Sequence, residues 1–119
     1  MEIKFRGYDE ENKCWRYGHF FETVEGARRC YNIVENRETR YYCASDSIGQ
    51  FIGKKDKNRK ELYNKDIIKN INNSFIYVVE WVEEYSGFIL LNIEDELDEL
   101  FFEDINLDFF EYFGNIYGY

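Results

Sequence analysis

Proline is absent from the 119-residue chain, histidine occurs once, and no lysine or arginine follows Lys69. Apolar runs such as Phe88-Ile89-Leu90-Leu91 fall far short of the roughly 20 residues a membrane helix needs. No basic-then-apolar stretch of the signal-peptide kind opens the sequence. The three cysteines, Cys14, Cys30 and Cys43, are odd in number and fall in no short paired motif. That usage suits reduced thiols better than a disulfide framework, so the expected compartment is a cytosol, with no membrane contact. No linker, repeat or low-complexity segment stands out. The lack of proline beside many Asn, Lys, Ile, Tyr and Glu matches the composition of an AT-rich genome.

What the chain does have is aromatic: 11 Tyr, 11 Phe and 2 Trp, 20% of its residues. Rings bury on the order of 150–250 Å² each, so a chain of this length can fill the core of one domain. A disordered sequence would lack the apolar surface needed to offset its ordering entropy.

Charge is divided along the sequence. Residues 1–69 hold all 15 Lys and Arg with 12 acids, a net +3. Residues 70–119 hold 12 acids and no cation, a net −12, which brings the chain to −9. Three readings stay open: a solvated acidic face that keeps the protein soluble, electrostatic contact between subunits or between the two halves, and an acidic surface that docks on a basic site of another protein. Direct nucleic-acid binding is disfavoured, since phosphate affinity rests on lysines and arginines that release counterions. Only Lys54, Lys55, Lys57, Arg59 and Lys60 are clustered enough to seat a phosphate backbone, and a solvated hairpin tip explains them more simply.

Period-two alternation predicts strands over 2–8, 14–21, 30–34, 40–43, 49–53, 67–69, 75–82, 88–91 and 109–117. Polar turns separate them, including Asp9–Lys13, Glu35–Glu38, Lys54–Lys60, Tyr63–Asp66 and Asn70–Ser74. One helix is expected over 93–102. Ile93, Leu97, Leu100 and Phe101 recur at i, i+4, i+7 and i+8, Asn92 suits an N-cap, and Glu94, Asp95 and Glu96 fall in the first turn.

Three stretches carry a resemblance. They are Ile3–Asp9 with Glu11–Lys13 and Tyr17-Gly18, then Gly49–Lys69, then Gly114-Asn115-Ile116-Tyr117. In order and spacing they resemble the YopX family of phage and prophage proteins, most specifically across Gly49–Lys69. The resemblance implies a mainly β fold, with an SH3-like small barrel over 49–119, a β-hairpin extension over 1–48, and residence in bacterial cytoplasm. It supplies no family-wide activity and no active-site residues. The family favours glycine where this chain has Arg59 and Lys65, so the left-handed backbone of those two turns is expected to pass to Asn58 and Asn64, or the turns to differ in type.

No constellation points to catalysis, a cofactor or a metal. His19 would have to serve any Ser-His-Asp set, yet Ser45, Ser47, Ser74 and Ser86 sit in no nucleophile-elbow pattern. Each cysteine reads more simply as a small buried hydrophobe than as a nucleophile. Cys14, His19, Cys30 and Cys43 lack the close cysteine pair of zinc modules, and the acids of 94–99 lack the calcium-loop pattern. Gly49 and Gly53 read as turn residues, with no phosphate-loop Gly-Lys-Ser/Thr after them.

Aromatics crowd the last 19 residues: Phe101, Phe102, Phe109, Phe110, Tyr112, Phe113, Tyr117 and Tyr119. In a strand, Phe109, Glu111 and Phe113 face one way and Phe110 and Tyr112 the other, which leaves ring surface to spare beside acids. The expected role is a phage-encoded, non-enzymatic protein-binding module, for example an inhibitor of a host anti-phage defence or nucleic-acid enzyme. Its partner is a host or phage protein with a basic surface. The expected contact residues are Glu94, Asp95, Glu96, Asp98, Glu99, Phe102, Glu103, Asp104, Asp108, Phe110, Glu111 and Tyr112. The alternatives are a nucleic-acid module using the Lys54–Lys60 cluster and a structural protein that forms a homo-oligomer.

Overall fold

Period-two patterning organises nearly all of the chain. The computed structural model describes residues 3–37 and 39–118; Glu2 of the first predicted strand, Glu38 of a predicted turn and Tyr119 of the aromatic tail lie outside the described residues. The described residues hold eleven β-strands and four short 3₁₀ turns, and no α-helix. They divide into two compact units, Met1–Phe51 and Ile52–Tyr119.

In the first unit, β1 (Phe5–Asp9), β2 (Cys14–Glu25), β3 (Arg28–Val34) and β4 (Arg40–Cys43) pair antiparallel in the order β4-β3-β2-β1. The start of β5 (Gly49–Lys55) adds to the free side of β1 through Phe5↔Gln50 and Arg6↔Gly49. Asp9 closes the first hairpin. Its carboxylate accepts hydrogen bonds from the Asn12 backbone (3.0 Å), the Asn12 side chain (2.8 Å) and Arg16 Nε (3.1 Å). Burial alone would raise the Asp9 pKa, but these donors together outweigh it and hold the group below its usual range. Its stabilising contribution is therefore present above the ordinary carboxylate pKa and lost as pH falls through the depressed value. Gly18 is required by close approach, because a Cβ there would lie 2.0 Å from the Val34 carbonyl oxygen.

The second unit continues β5 and adds β6 (Glu61–Tyr63), β7 (Asp66–Asn70), β8 (Ile76–Val82), β9 (Gly87–Asn92), β10 (Asp95–Phe101) and β11 (Phe110–Asn115). Five of these form an antiparallel sheet in the order β10-β9-β8-β7-β11. Among the described residues its end strands, β10 and β11, do not pair with each other, so the sheet is open: the expected mainly β fold is present, without closure into the SH3-like barrel that the resemblance implies. Ile52, Leu62, Ile68, Tyr77, Val79, Leu90 and Phe110 make the buried core. Full burial of a side chain such as Leu62 or Phe110 stabilises the fold by roughly 1.5–3 kcal/mol.

Two buried aspartates organise the segment that carries the most specific resemblance. Asp56 is 4% exposed. Its Oδ1 accepts from the Asn58 and Lys60 backbone N–H groups at 2.8 and 2.9 Å, and its Oδ2 accepts from the Tyr112 N–H at 2.8 Å. Lys57 N–H donates to the Phe110 carbonyl at 2.9 Å, so the 54–60 turn lies along the outer edge of β11 and satisfies its groups. Asp66, 0% exposed, accepts from the Tyr63 N–H at 2.7 Å and closes the next turn. The short strand β6 lies between these two turns, where three residues are too few to show a period.

The expected helix over 93–102 is corrected: Asp95–Phe101 is strand β10. Asn92 Oδ1 does accept the Glu94 N–H (2.8 Å), as a cap would, but the bond opens a hairpin turn and not a helix. Asp95 lies opposite Asn92 while Glu99 lies opposite Leu91, so residues 96–98 bulge out of the ladder. The bulge spaces Ile93, Leu97 and Leu100 as a helix would, although they share no face. The strand expected over 49–53 is present as the first part of β5, so Gly49 and Gly53 lie within it and not in turns, although Gly53 adopts φ 79°.

The left-handed turn positions are also corrected. They stay at Arg59 (φ 68°) and Lys65 (φ 78°), and Asn58 and Asn64 do not take them over. The carboxylates of Asp56 and Asp66 fix these turns strongly enough to impose the left-handed geometry on side chains that disfavour it. That geometry costs a non-glycine residue roughly 1–2 kcal/mol, partly offset in a glycine variant by greater unfolded-chain entropy. Arg59→Gly and Lys65→Gly should each therefore raise stability by about 0.5–1 kcal/mol. The check is urea unfolding, with a higher midpoint and an unchanged slope expected.

Candidate functional site

The acids of the C-terminal half are spread by the sheet into separate groups. Glu94, Asp95 and Glu96 are exposed at the β9–β10 tip, with Ile93 beside them. Within the bulge Leu97 is 90% exposed. The helical spacing places this side chain on one apolar stripe with Ile93 and Leu100, and it is instead the most solvent-exposed of the large hydrophobics among the described residues.

Asp98 turns back into the fold. Its Oδ2 accepts from Tyr77 OH and from Asn92 Nδ2, both at 3.0 Å, which ties the bulge to β8 and β9. Burial first, and then the hydrogen bond to Asp98, push the Tyr77 phenol up to about 12. Asp98 is thus committed to the structure and is a poor partner contact.

Glu99 is exposed and accepts from Tyr85 OH at 3.2 Å. Glu103 and Asp104 are exposed on the 3₁₀ turn Phe102–Asp104, and Asp108 on the turn Leu107–Phe109, where Asn106 Oδ1 accepts the Asp108 N–H. Phe102 packs against the core. Phe110 is itself core, 3% exposed, and cannot meet a partner from there. Glu111 stands opposite Lys69 in register, and Tyr112 is half-buried with Lys60 Nζ 4.5 Å from its ring centre. The expected alternation is present: Phe113 of β11 and Phe109, in the turn before it, are exposed, while Phe110 and Tyr112 point inward. Because β10 and β11 are opposite edges of the sheet, the twelve expected contact residues do not make one patch. The coherent group is Glu94, Asp95, Glu96 and Glu99, joined by Ile93 and Leu97.

The basic alternative is also rearranged. Lys54, Lys55, Lys57, Arg59 and Lys60 are all exposed around the 54–60 turn. Lys54 Nζ lies 5.9 Å from the Phe102 ring centre and Lys60 Nζ lies over Tyr112. Two of the five cations are therefore engaged by rings of the acidic segment, within the range of a cation–π contact.

Sequence reasoning missed a set of aromatics between β8 and β10. Trp81 and Phe88 are cross-strand partners whose rings meet edge to face at 5.1 Å, and Tyr85 meets Phe101 in the same manner at 5.1 Å. The available signal was the turn at 83–86 with Trp81 and Phe88 symmetrically placed around it. A cleft of about 440 Å³ opens beside them, between Phe88, Phe101, Phe102 and Tyr85.

In the first unit the residues with catalytic potential stay apart or occupied. His19 is exposed on β2. Ser47 is buried and accepts the Tyr8 N–H while donating to the Ala44 carbonyl. Burial pushes the Cys43 thiol up to about 12, which leaves little thiolate at neutral pH. Among the described residues, no group of three or more His, Cys, Asp or Glu side chains could hold a metal ion. No helix among them is long and apolar enough to cross a membrane.

The family model described as YopX protein matches residues 4–118. No curated protein sequence matches the chain.

The raised Tyr77 pKa has a consequence for stability. A phenol titrating higher in the folded chain contributes stability that is fully present below its ordinary pKa near 10 and lost as pH rises toward 12. Tyr77→Phe should lower stability at pH 8 by about 1 kcal/mol, the net worth of its hydrogen bond. It should also flatten the decline between pH 10 and 12. Urea midpoints of both chains across that range test this.

Proposed function

The chain belongs to the YopX family, and from that premise we propose that it acts by occupying another protein through the acidic β9–β10 tip. The observation that carries this reading is Leu97, 90% exposed on a bulge and flanked by exposed carboxylates at Glu94, Asp95 and Glu96. A large apolar side chain held in water at the end of a hairpin gives the fold nothing, but it provides an anchor for a partner pocket. The surrounding acids steer approach to a basic surface and reject acidic ones. With no cation after Lys69, the field of this segment has one sign.

The reading is of a phage-encoded, non-enzymatic inhibitor in the bacterial cytoplasm. Its target class is a host nucleic-acid enzyme or anti-phage defence protein whose basic groove suits such a tip. Direct nucleic-acid binding through Lys54, Lys55, Lys57, Arg59 and Lys60 is the weaker reading, because Lys54 and Lys60 already lie over the chain's own rings.

The test is affinity purification from phage-infected cells with the tagged chain and with a variant carrying Glu94→Gln, Asp95→Asn and Glu96→Gln. The wild type should retain a protein with a basic surface, and the variant should lose it while remaining folded. Association with the purified partner should slow by about tenfold or more at low salt, the scale of electrostatic steering. Equal recovery by both chains would contradict the proposal.

A further inference from the structure

A cleft at the other end of the β9–β10 hairpin from the tip has the chemistry of a cation site. Its walls are aromatic: Tyr85 from the β8–β9 turn, Phe88 from β9, Phe101 from β10, and Phe102 from the turn that follows. Its polar lining is Lys54 and Glu103. Glu83 and Glu84 are exposed on the same turn as Tyr85, and Glu99 accepts the Tyr85 hydroxyl. Glu103 thus lines the cleft with the Lys54 ammonium, and three further carboxylates stand next to Tyr85 in the chain or hydrogen-bonded to it. The hydrogen bond and charge of Glu99, then partial desolvation, and last the charge of Glu84 hold the Tyr85 phenol above its usual pKa.

Lys54 Nζ already lies 5.9 Å from the Phe102 ring centre, so a ring of this cleft accepts a cation of its own chain. Lys54 is exposed and lies over Phe102; the ring contacts of Tyr85 and Phe101 are with each other, edge to face. Such aromatic surface favours a planar guanidinium, which stacks on rings and sheds water more readily than an ammonium.

We propose that the Tyr85–Phe88–Phe101–Phe102 cleft is an anchor subsite that receives an arginine side chain from a basic segment of the partner protein. The proposal rests on the acidic-tip reading above and assigns a second contact at the other end of the same hairpin. The guanidinium would lie against the Tyr85 and Phe101 rings, with Glu99 and Glu103 as its counter-charges. The partner's remaining basic residues would meet the tip.

A probe of defined chemistry tests the subsite without the partner. The full chain is titrated with acetyl-Gly-Arg-Gly-amide at constant ionic strength while its aromatic side-chain resonances are followed by NMR. Acetyl-Gly-citrulline-Gly-amide serves as the uncharged control of the same shape. Saturable shifts at Tyr85, Phe88 and Phe101 with the arginine peptide alone support the site. Glu99→Gln and Glu103→Gln should each weaken binding by about two- to fivefold, the effect of one exposed ion pair, and Glu96→Gln should not. Phe101→Ala should abolish it; the two charge variants keep the test decisive if that chain does not fold.

Non-saturating shifts, equal shifts with citrulline, or equal weakening by Glu96→Gln would overturn the proposal. The two readings fail separately. Loss of a partner on tip neutralisation without any arginine-peptide binding at the cleft removes the subsite and keeps the tip. Peptide binding at the cleft with partner recovery unaffected by tip neutralisation removes the tip reading.

Discussion

One carboxylate ties together the segment on which the second unit is built. Asp56 collects three backbone N–H groups, two from its own turn and one from Tyr112, fifty-six residues further along the chain. The local pair shapes the 54–60 turn. The distant bond places that turn along β11, where Lys57 N–H also reaches the Phe110 carbonyl. An outer strand edge is thereby satisfied by a side chain and a loop, and it is not left open to another chain. The core residue Phe110 and the inward Tyr112 ring follow from how β11 is held. Asp66 does the same locally for the next turn, and together the two acids keep Arg59 and Lys65 left-handed despite their side chains.

This assigns distinct work to distinct acids. Asp9, Asp56, Asp66 and Asp98 accept hydrogen bonds within the fold. Glu94, Glu96 and Glu103 are exposed, and the β9–β10 tip places two of them beside Leu97. A buried carboxylate that accepts several N–H groups is costly to remove, whereas an exposed one contributes little to stability. Surface acids can therefore be changed for function with the fold left standing. The most specific stretch of the sequence, Gly49–Lys69, is on this account a structural signature, and the surface suited to binding lies elsewhere.

Most strands were legible because alternation is a local signal: β8 shows it with Tyr77 and Val79 inward, and β11 with Phe110 inward and Phe113 outward. The β10 strand was illegible for a specific reason. A bulge inserts extra residues between paired positions, so apolar residues fall at spacings that imitate a helix, and Asn92 forms the same side-chain-to-backbone bond in an Asx turn as in a cap. The expected helical placement of Leu97 followed from the same spacing, and its exposure is a product of the bulge. The turn prediction at Asn58 and Asn64 failed differently. Residue preference favoured a shift of the left-handed position, but Asp56 and Asp66 fix the turns through bonds that preference does not encode. The acid-rich character of the site could be read directly, because charge needs no register. Its aromatic cleft could not, because Phe88 and Phe101 come together only through the pairing of β8, β9 and β10.

The dependence of this fold on Asp56 is most directly measured by amide hydrogen exchange at Tyr112, in the native chain and in Asp56→Asn. The Tyr112 N–H should be among the slowest to exchange in the native chain. In the variant it should exchange markedly faster together with Asn58 and Lys60, while the tip amides of Glu94 and Glu96 keep their rates. A Tyr112 amide that is fast in the native chain, or unchanged by the substitution, would contradict the account.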